Sequence, residues 1–285
     1  METIENISFS SEYFDALATL DCGQIFRFNK INEGFLVVAK DKVAILNTLN
    51  NKTTIECYAQ DKDYFINFFD LDRDYKSICK SAKKENILIL SNAVDNAKGI
   101  RILNQDKEET LFSFIISQNN NIPRIKAIIE KLCKGLGEKK EFLGIEYYAF
   151  PTVKKMAETD LKFYQAIGLG YRARYIKNLA EMLNNGLNLE QLSSLSTLEL
   201  RKELTKILGV GNKVADCVLL FAYHKTDSFP VDTWIEKVYI EDFKGLLKDR
   251  TKMAEELSKR FKENAGYYQQ YLFYYKRLTQ ISKKA

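Results

Sequence analysis

Lys213 and Asp232 are the side chains whose types and spacing could do covalent chemistry. Lys213 follows Leu208-Gly209-Val210-Gly211-Asn212, and Asp232 lies downstream in Phe229-Pro230-Val231-Asp232-Thr233-Trp234. A lysine amine can displace a leaving group from a sugar carbon and hold the product as a Schiff base. A carboxylate can stabilise the positive charge that develops on the sugar. The lysine must first lose a proton, and at its ordinary pKa of about 10.4 only roughly one amine in a few thousand is neutral at pH 7. A nearby carboxylate raises that pKa, so Asp232 suits the sugar better than it suits activation of Lys213. Asp232 could also be the N-cap of the next helix. Thr233 and Glu236 spell a T-x-x-E capping box, which would leave Asp232 free.

The elements that must position this pair are helical. Upstream, Leu198, Leu200, Leu204, Ile207 and Leu208 fall largely on one helical face; downstream, Val214, Val218 and Phe221 do the same. Two helices are thus joined by a Gly-Val-Gly hairpin, at about 198–222. Gly209 and Gly211 let the chain turn sharply and let another backbone approach. The second helix, from Lys213 and Val214 onward, begins with free N–H groups suited to a phosphate. A plain helical hairpin closed by glycine is the alternative.

Composition narrows the classes. The chain has 285 residues, 46% hydrophobic and 28% charged, which excludes a disordered or fibrous chain. Lys and Arg number 43 against 38 Asp and Glu, a net charge of +5 that permits a polyanionic partner. No apolar run is long enough to span a membrane, and the acidic start Met1-Glu2-Thr3-Ile4-Glu5 is unlike a signal peptide. A cytoplasmic protein is expected, nucleoid-associated if bacterial. The cysteines, Cys22, Cys57, Cys79, Cys133 and Cys217, are too scattered for a zinc or iron–sulfur motif, and a single histidine, His224, argues against a histidine-based triad or a His-rich metal site. No metal and no cofactor is expected.

Between about 20 and 60, Phe35–Ala39, Val43–Leu46 and Thr53–Tyr58 read as short strands separated by turns at Asn32-Glu33-Gly34, Lys40-Asp41-Lys42 and Asn50-Asn51-Lys52. After about 62 the apolar period becomes helical, and from about 105 nearly everything reads as helix. The fold class is α+β: an N-terminal antiparallel β-sheet domain with helices over 1–100, then a larger all-α domain over 101–285 that carries the hairpin.

These segments resemble the helix–hairpin–helix glycosylase superfamily, and more narrowly the 8-oxoguanine DNA glycosylase/lyase family of the eukaryotic type. Four blocks carry the likeness in order: Arg101–Asp106 leading into Leu111–Ile125 with Gln118-Asn119-Asn120-Asn121, Gly168–Tyr175, Leu208–Cys217, and Pro230-Val231-Asp232. The resemblance implies that Lys213 is the Schiff-base nucleophile and Asp232 the essential carboxylate. It implies extrusion of a damaged guanine from duplex DNA into a pocket. There Gly23 would accept from the N7–H that normal guanine lacks, Cys217 and Phe273 would sandwich the purine, and Gln269 would bind its Watson–Crick edge. Lys213 with Cys217, and Gln269 with Phe273, each share a helix face at a spacing of i, i+4. Asn119, Asn120 and Asn121 would fill the gap left in the duplex, Arg124 and Arg172 would read the orphaned cytosine, and Tyr171 would wedge the stack. Gly209, Gly211 and Val214 would contact the DNA backbone. Capping accounts for one or two of the asparagines but not readily for three. Two positions depart from the family: Leu208 replaces a proline, and Trp234 replaces a histidine that contacts phosphate.

The expectation is a monomeric glycosylase/AP lyase acting on double-stranded DNA that contains 8-oxoguanine, by lysine attack at C1′ and β-elimination. The rivals are a helix–hairpin–helix glycosylase of other base specificity and a non-catalytic DNA-binding module. A helical protein-interaction domain that binds no DNA is a third.

Overall fold

A computed structural model describes residues 3–32 and 34–282. Met1 and Glu2 of the acidic start, and Glu33 of the first expected turn, lie outside the described residues. The chain opens with β1 (Ile4–Ser10) and α1 (Ala16–Asp21), then β2 (Phe28–Ile31), β3 (Gly34–Ala39), β4 (Lys42–Leu49) and β5 (Lys52–Tyr58). These strands form an antiparallel sheet in the order β1-β5-β4-β3-β2. The three expected strands are its centre. β1 and β2 were not expected. β1 is an edge strand with no fully buried residue; its Ile7-Ser8-Phe9-Ser10 alternation is short and only half-buried on its inner face.

The central strands carry nearly continuous apolar runs, and successive side chains point to opposite sides, so the sheet is apolar on both faces. Val37, Ala44, Leu46 and Ile55 face a core with Phe14, Leu20, Phe65 and Phe68. Leu36, Val38, Val43 and Ile45 face Phe142 and Tyr147. Those last two belong to a hairpin, β6 (Lys139–Phe142) and β7 (Ile145–Tyr148), inside the part that reads as helix.

The remaining elements are α2 (Lys62–Phe68), α3 (Tyr75–Lys84), α4 (Leu88–Ala97), α5 (Lys107–Ser117), α6 (Ile122–Leu136), β6 (Lys139–Phe142), β7 (Ile145–Tyr148), α7 (Val153–Glu158), α8 (Leu161–Ala166), α9 (Arg172–Asn184), α10 (Thr197–Leu204), α11 (Asn212–Ala222), α12 (Thr233–Lys237), α13 (Arg250–Phe261) and α14 (Ala265–Ser282). The β6–β7 turn uses Leu143 and Gly144, both at positive φ, as a two-residue hairpin loop requires. α3 and α4 precede residue 100, yet their Tyr75, Ile78, Leu90 and Val94 join the large helical core with Tyr268, Tyr271 and Leu272 of α14. The sheet and the helical core therefore share the first hundred residues.

Gln24 ties the two parts together. It is fully buried, its Nε2 donates to the carbonyls of Thr19 (2.9 Å) and Arg101 (2.7 Å), and its Oε1 accepts from Leu103 N–H at 2.9 Å. Its own carbonyl accepts from Gln105 Nε2 at 2.8 Å. The loop Asp21–Gln24 is thereby fixed beside α14, where Arg277 donates to Asp21 Oδ2 at 2.6 Å.

Candidate active site

α11 begins at the hairpin. Gly209 has φ +85°, and a Cβ there would lie 2.4 Å from the Tyr175 ring. Gly211 is the N-cap at φ −90° with open space around the missing side chain. Gly209 is therefore required by the fold, whereas nothing in the protein excludes a side chain at Gly211. Its smallness suits the approach of another molecule's backbone to the free N–H groups of the first helical turn. Val214 offers only its N–H, since its side chain is buried. Gly209→Ala is expected to cost about 2 kcal/mol or more of stability, from the left-handed φ and the ring overlap. Gly211→Ala should cost about 1 kcal/mol or less and weaken duplex binding. Thermal melts beside DNA titrations of the two variants check this contrast.

The first turn of α11 aims Lys213 into a cavity of about 570 Å³ between the Asp21–Phe26 loop, α5, α11, α12 and α14. Gly23, Asn120, Asn121, Lys213, Cys217, Asp232, Gln269 and Phe273 all line it. Lys213 is an exposed residue because one side of it faces the open cavity. Its Nζ lies 5.3 Å from the centre of the Phe114 ring. Its pKa is raised. Burial of the amine opposes this, and Cys217, then Asp232, outweigh the burial. Burial pushes the Cys217 thiol up to about 11, in the range where Lys213 itself titrates, so the pull of Cys217 on Lys213 acts there and Asp232 is the countercharge present at pH 7. Lys213 is thus an ammonium at neutral pH.

Of the two caps that the sequence leaves open for α12, Asp232 is the one used. Asp232 is itself the N-cap, and its Oδ1 accepts from the N–H groups of Trp234 and Ile235, both at 2.9 Å. Capping takes one carboxylate oxygen, and Oδ2 is left for the cavity. The local sequence offered two caps one residue apart, and Asp232, extended at φ −105°, is the one whose side chain meets the free N–H groups of the first turn.

Gln269 is 3% exposed, donates through Nε2 to the Pro230 carbonyl (3.2 Å) and accepts through Oε1 from Gln270 (2.9 Å). Gly23 has φ +79°, and a Cβ there would meet the Phe273 ring at 3.6 Å. Arg277 stands one turn beyond Phe273, with its guanidinium 5.7 Å from that ring. Sequence reading missed Phe114 and Arg277 as cavity residues. The 269, 273, 277 spacing could have found Arg277; nothing local distinguishes Phe114 from core. Trp234, which departs from the family histidine, also lines the cavity, with Lys237 Nζ 5.1 Å from the centre of its ring.

Asn119, Arg124, Tyr171 and Arg172 do not line this cavity. Tyr171 is 52% exposed and shares a shallow cleft with Gly209 and Gly211. Arg124 is exposed and reaches the Gly168 carbonyl at 3.4 Å. Arg172 differs from the expectation of a DNA-reading side chain: it is 4% exposed, and its guanidinium donates to the carbonyls of Gln118, Asn119 and Leu169. The three asparagines each have a local role. Asn119 adopts φ +45°, Asn120 Nδ2 donates to the Ile116 carbonyl, and Asn121 caps α6 by accepting from Arg124 N–H. Among the described residues, no group of three His, Cys, Asp or Glu side chains could hold a metal ion, and no helix is long and apolar enough to cross a membrane.

Comparison with known proteins places this geometry. Residues 6–111 match the 8-oxoguanine DNA glycosylase N-terminal domain, and residues 112–263 match the HhH-GPD superfamily of base excision DNA repair proteins. The chain belongs to the 8-oxoguanine DNA glycosylase family. The two matches meet inside α5. The 8-oxoguanine glycosylase/lyase of Clostridium acetobutylicum, solved with double-stranded DNA containing cytosine opposite 8-oxoguanine, superimposes with a TM-score of 0.91 at 36% identity. That match covers 98% of this chain and 99% of the other. A probable N-glycosylase/DNA lyase of Methanothermobacter thermautotrophicus is 30% identical over 225 residues, 72% of this chain and 71% of that protein. The N-glycosylase/DNA lyase of Saccharomyces cerevisiae is 34% identical over 207 residues; the match covers 66% of this chain and 54% of the yeast protein. In fold and sequence this glycosylase thus has both parts of the family's architecture, the antiparallel sheet and the helical domain.

Proposed function

We propose that this bifunctional 8-oxoguanine glycosylase/lyase acts through Lys213 as nucleophile. The observation that carries the reading is the convergence of Gly23, Lys213, Cys217, Asp232, Gln269 and Phe273 on one cavity with room for an extruded nucleotide. The neutral amine attacks C1′ of the extruded nucleotide. A C1′–Nζ bond forms, the glycosidic C–N bond breaks, and its electron pair leaves on the purine. The free oxygen of Asp232 stabilises the positive charge that develops on the sugar. After ring opening, the Schiff base acidifies the C2′ hydrogen; its loss breaks the C3′–O bond and nicks the strand. The Gly23 carbonyl accepts from N7–H of the lesion, Gln269 binds the Watson–Crick edge, and Cys217 and Phe273 hold the faces of the ring. The Asn119–Asn121 turn fills the vacated stack, Tyr171 wedges it, and Arg124 and Arg172 read the cytosine. For Arg172 this requires release from the loop carbonyls it now holds. The protein acts as a monomer in the cytoplasm, beside the nucleoid in a bacterium.

Borohydride trapping tests the reading. A duplex with one 8-oxoguanine opposite each of the four bases should cross-link most with cytosine, and undamaged guanine should give no adduct. Absence of any adduct, with salt-sensitive duplex binding retained, would remove Lys213 from the mechanism. Gly23→Ala should lower the preference for 8-oxoguanine over guanine at least about tenfold. The methyl meets a left-handed φ and the Phe273 ring, and the carbonyl that carries the discrimination shifts. Unchanged selectivity in competition binding would contradict the assignment.

A further inference from the structure

Gln118 closes α5 one residue before the asparagine turn, and it makes contacts that the proposed mechanism does not use. Its Nε2 donates to the carbonyl of Gly209 at 2.8 Å, so the side chain crosses from the end of α5 to the hairpin. A second, longer bond runs to the Ile115 carbonyl at 3.2 Å. Its own carbonyl accepts from Arg172 Nε at 2.8 Å, and the same guanidinium holds the Asn119 carbonyl at 2.9 Å. Gly209 is itself immobilised, since its turn is pressed against Tyr175. The left-handed residue Asn119 therefore sits between two tethers, one through Gln118 to the hairpin and one from Arg172 of α9; the second is the one released when Arg172 turns to the cytosine, and the first persists. Neither tether uses the N–H groups at the start of α11.

We infer that Gln118 is a positioning residue that couples the hairpin to the asparagine turn. The inference rests on the function proposed above. The hairpin binds the phosphate backbone and thereby sets the height of the Gly209 carbonyl over the duplex. Gln118 transmits that height to Asn119–Asn121, so that the turn meets the stack at the level of the vacated base. Without the side-chain amide the hairpin still binds, but the turn no longer enters the stack in register, and base extrusion slows.

The test is single-turnover excision with saturating enzyme, using Gln118→Met, which keeps the length of the side chain and removes the N–H donor. On 8-oxoguanine paired with cytosine the rate should fall about three- to tenfold, the size expected for one ordinary hydrogen bond. The Kd for the duplex should change by less than about twofold, because phosphate contacts are intact. With the lesion opposite an abasic analogue, extrusion is already cheap, and the variant should come within about twofold of the parent. Gln118→Glu is the second variant: it sets a carboxylate against the Gly209 carbonyl and should show a larger deficit with the same rescue. Equal slowing on both substrates in either variant would mark a general structural defect and overturn the inference. So would weakened binding at unchanged rate, or no effect on the paired lesion. A parent protein that excises nothing from either duplex would overturn the proposed activity, and this coupling with it.

Discussion

Lys213→Gln is expected to abolish imine trapping and to lower 8-oxoguanine excision by at least about a thousandfold, the scale of losing the covalent nucleophile. The fold should survive, because Lys213 contributes no core packing: its amine faces the cavity beside Phe114 and Cys217. A glutamine there still hydrogen-bonds, and it leaves the hairpin N–H groups in place. Lesion-containing duplex should therefore bind to the variant within about tenfold of the parent. Borohydride trapping, single-turnover excision and a binding titration on one preparation decide the matter. Residual trapping in the variant would place the nucleophile on another side chain. Loss of trapping together with loss of binding would mean that Lys213 holds the hairpin, not the reaction.

Asp232→Asn separates two roles of one carboxylate. Asparagine caps a helix about as well as aspartate, so α12 should lose little, and stability should change by less than about 1 kcal/mol. Excision should fall about a hundredfold to a thousandfold, as the developing positive charge loses its countercharge. The pH profile supplies the sign. The Asp232 carboxylate is one of the groups that raise the Lys213 pKa. Below that pKa the neutral amine grows about tenfold per pH unit, so the parent rate should rise with pH through neutrality. Removing the negative charge lowers the Lys213 pKa, and the rising limb should move to lower pH even as its plateau drops. Rate–pH curves for both proteins on the same duplex test this. A limb that stays in place would show that Asp232 does not act on the lysine. Asp232→Ala adds the loss of the cap, about 1 kcal/mol, visible as a lower Tm that the asparagine variant should not share.

Much of this site was legible because its chemistry is local. Gly209, Gly211 and Lys213 lie in one short string, and Lys213 with Cys217, like Gln269 with Phe273, share a face at one helical turn. The central strands declared themselves by β-branched and apolar runs between polar turns. The β6–β7 hairpin did not. Its strands are four residues each, and their apolar side chains gain meaning only against Leu36 and Val43 across the sheet.

By itself the sequence determined the hairpin and the two helix faces, because periodicity and turn chemistry act over a few residues, and it marked Lys213 and Asp232 as candidates through their residue types and the family motif. Tertiary structure alone decided the rest. It set Gly23 against Phe273 and joined Asp21 to Arg277 across 256 residues of chain. It chose Asp232 over Thr233 as the cap, and it turned Arg172 inward to hold the asparagine loop. Each of these is a competition between partners that are equivalent locally. The winner is the one that core packing brings within hydrogen-bond reach, and no local pattern encodes that distance.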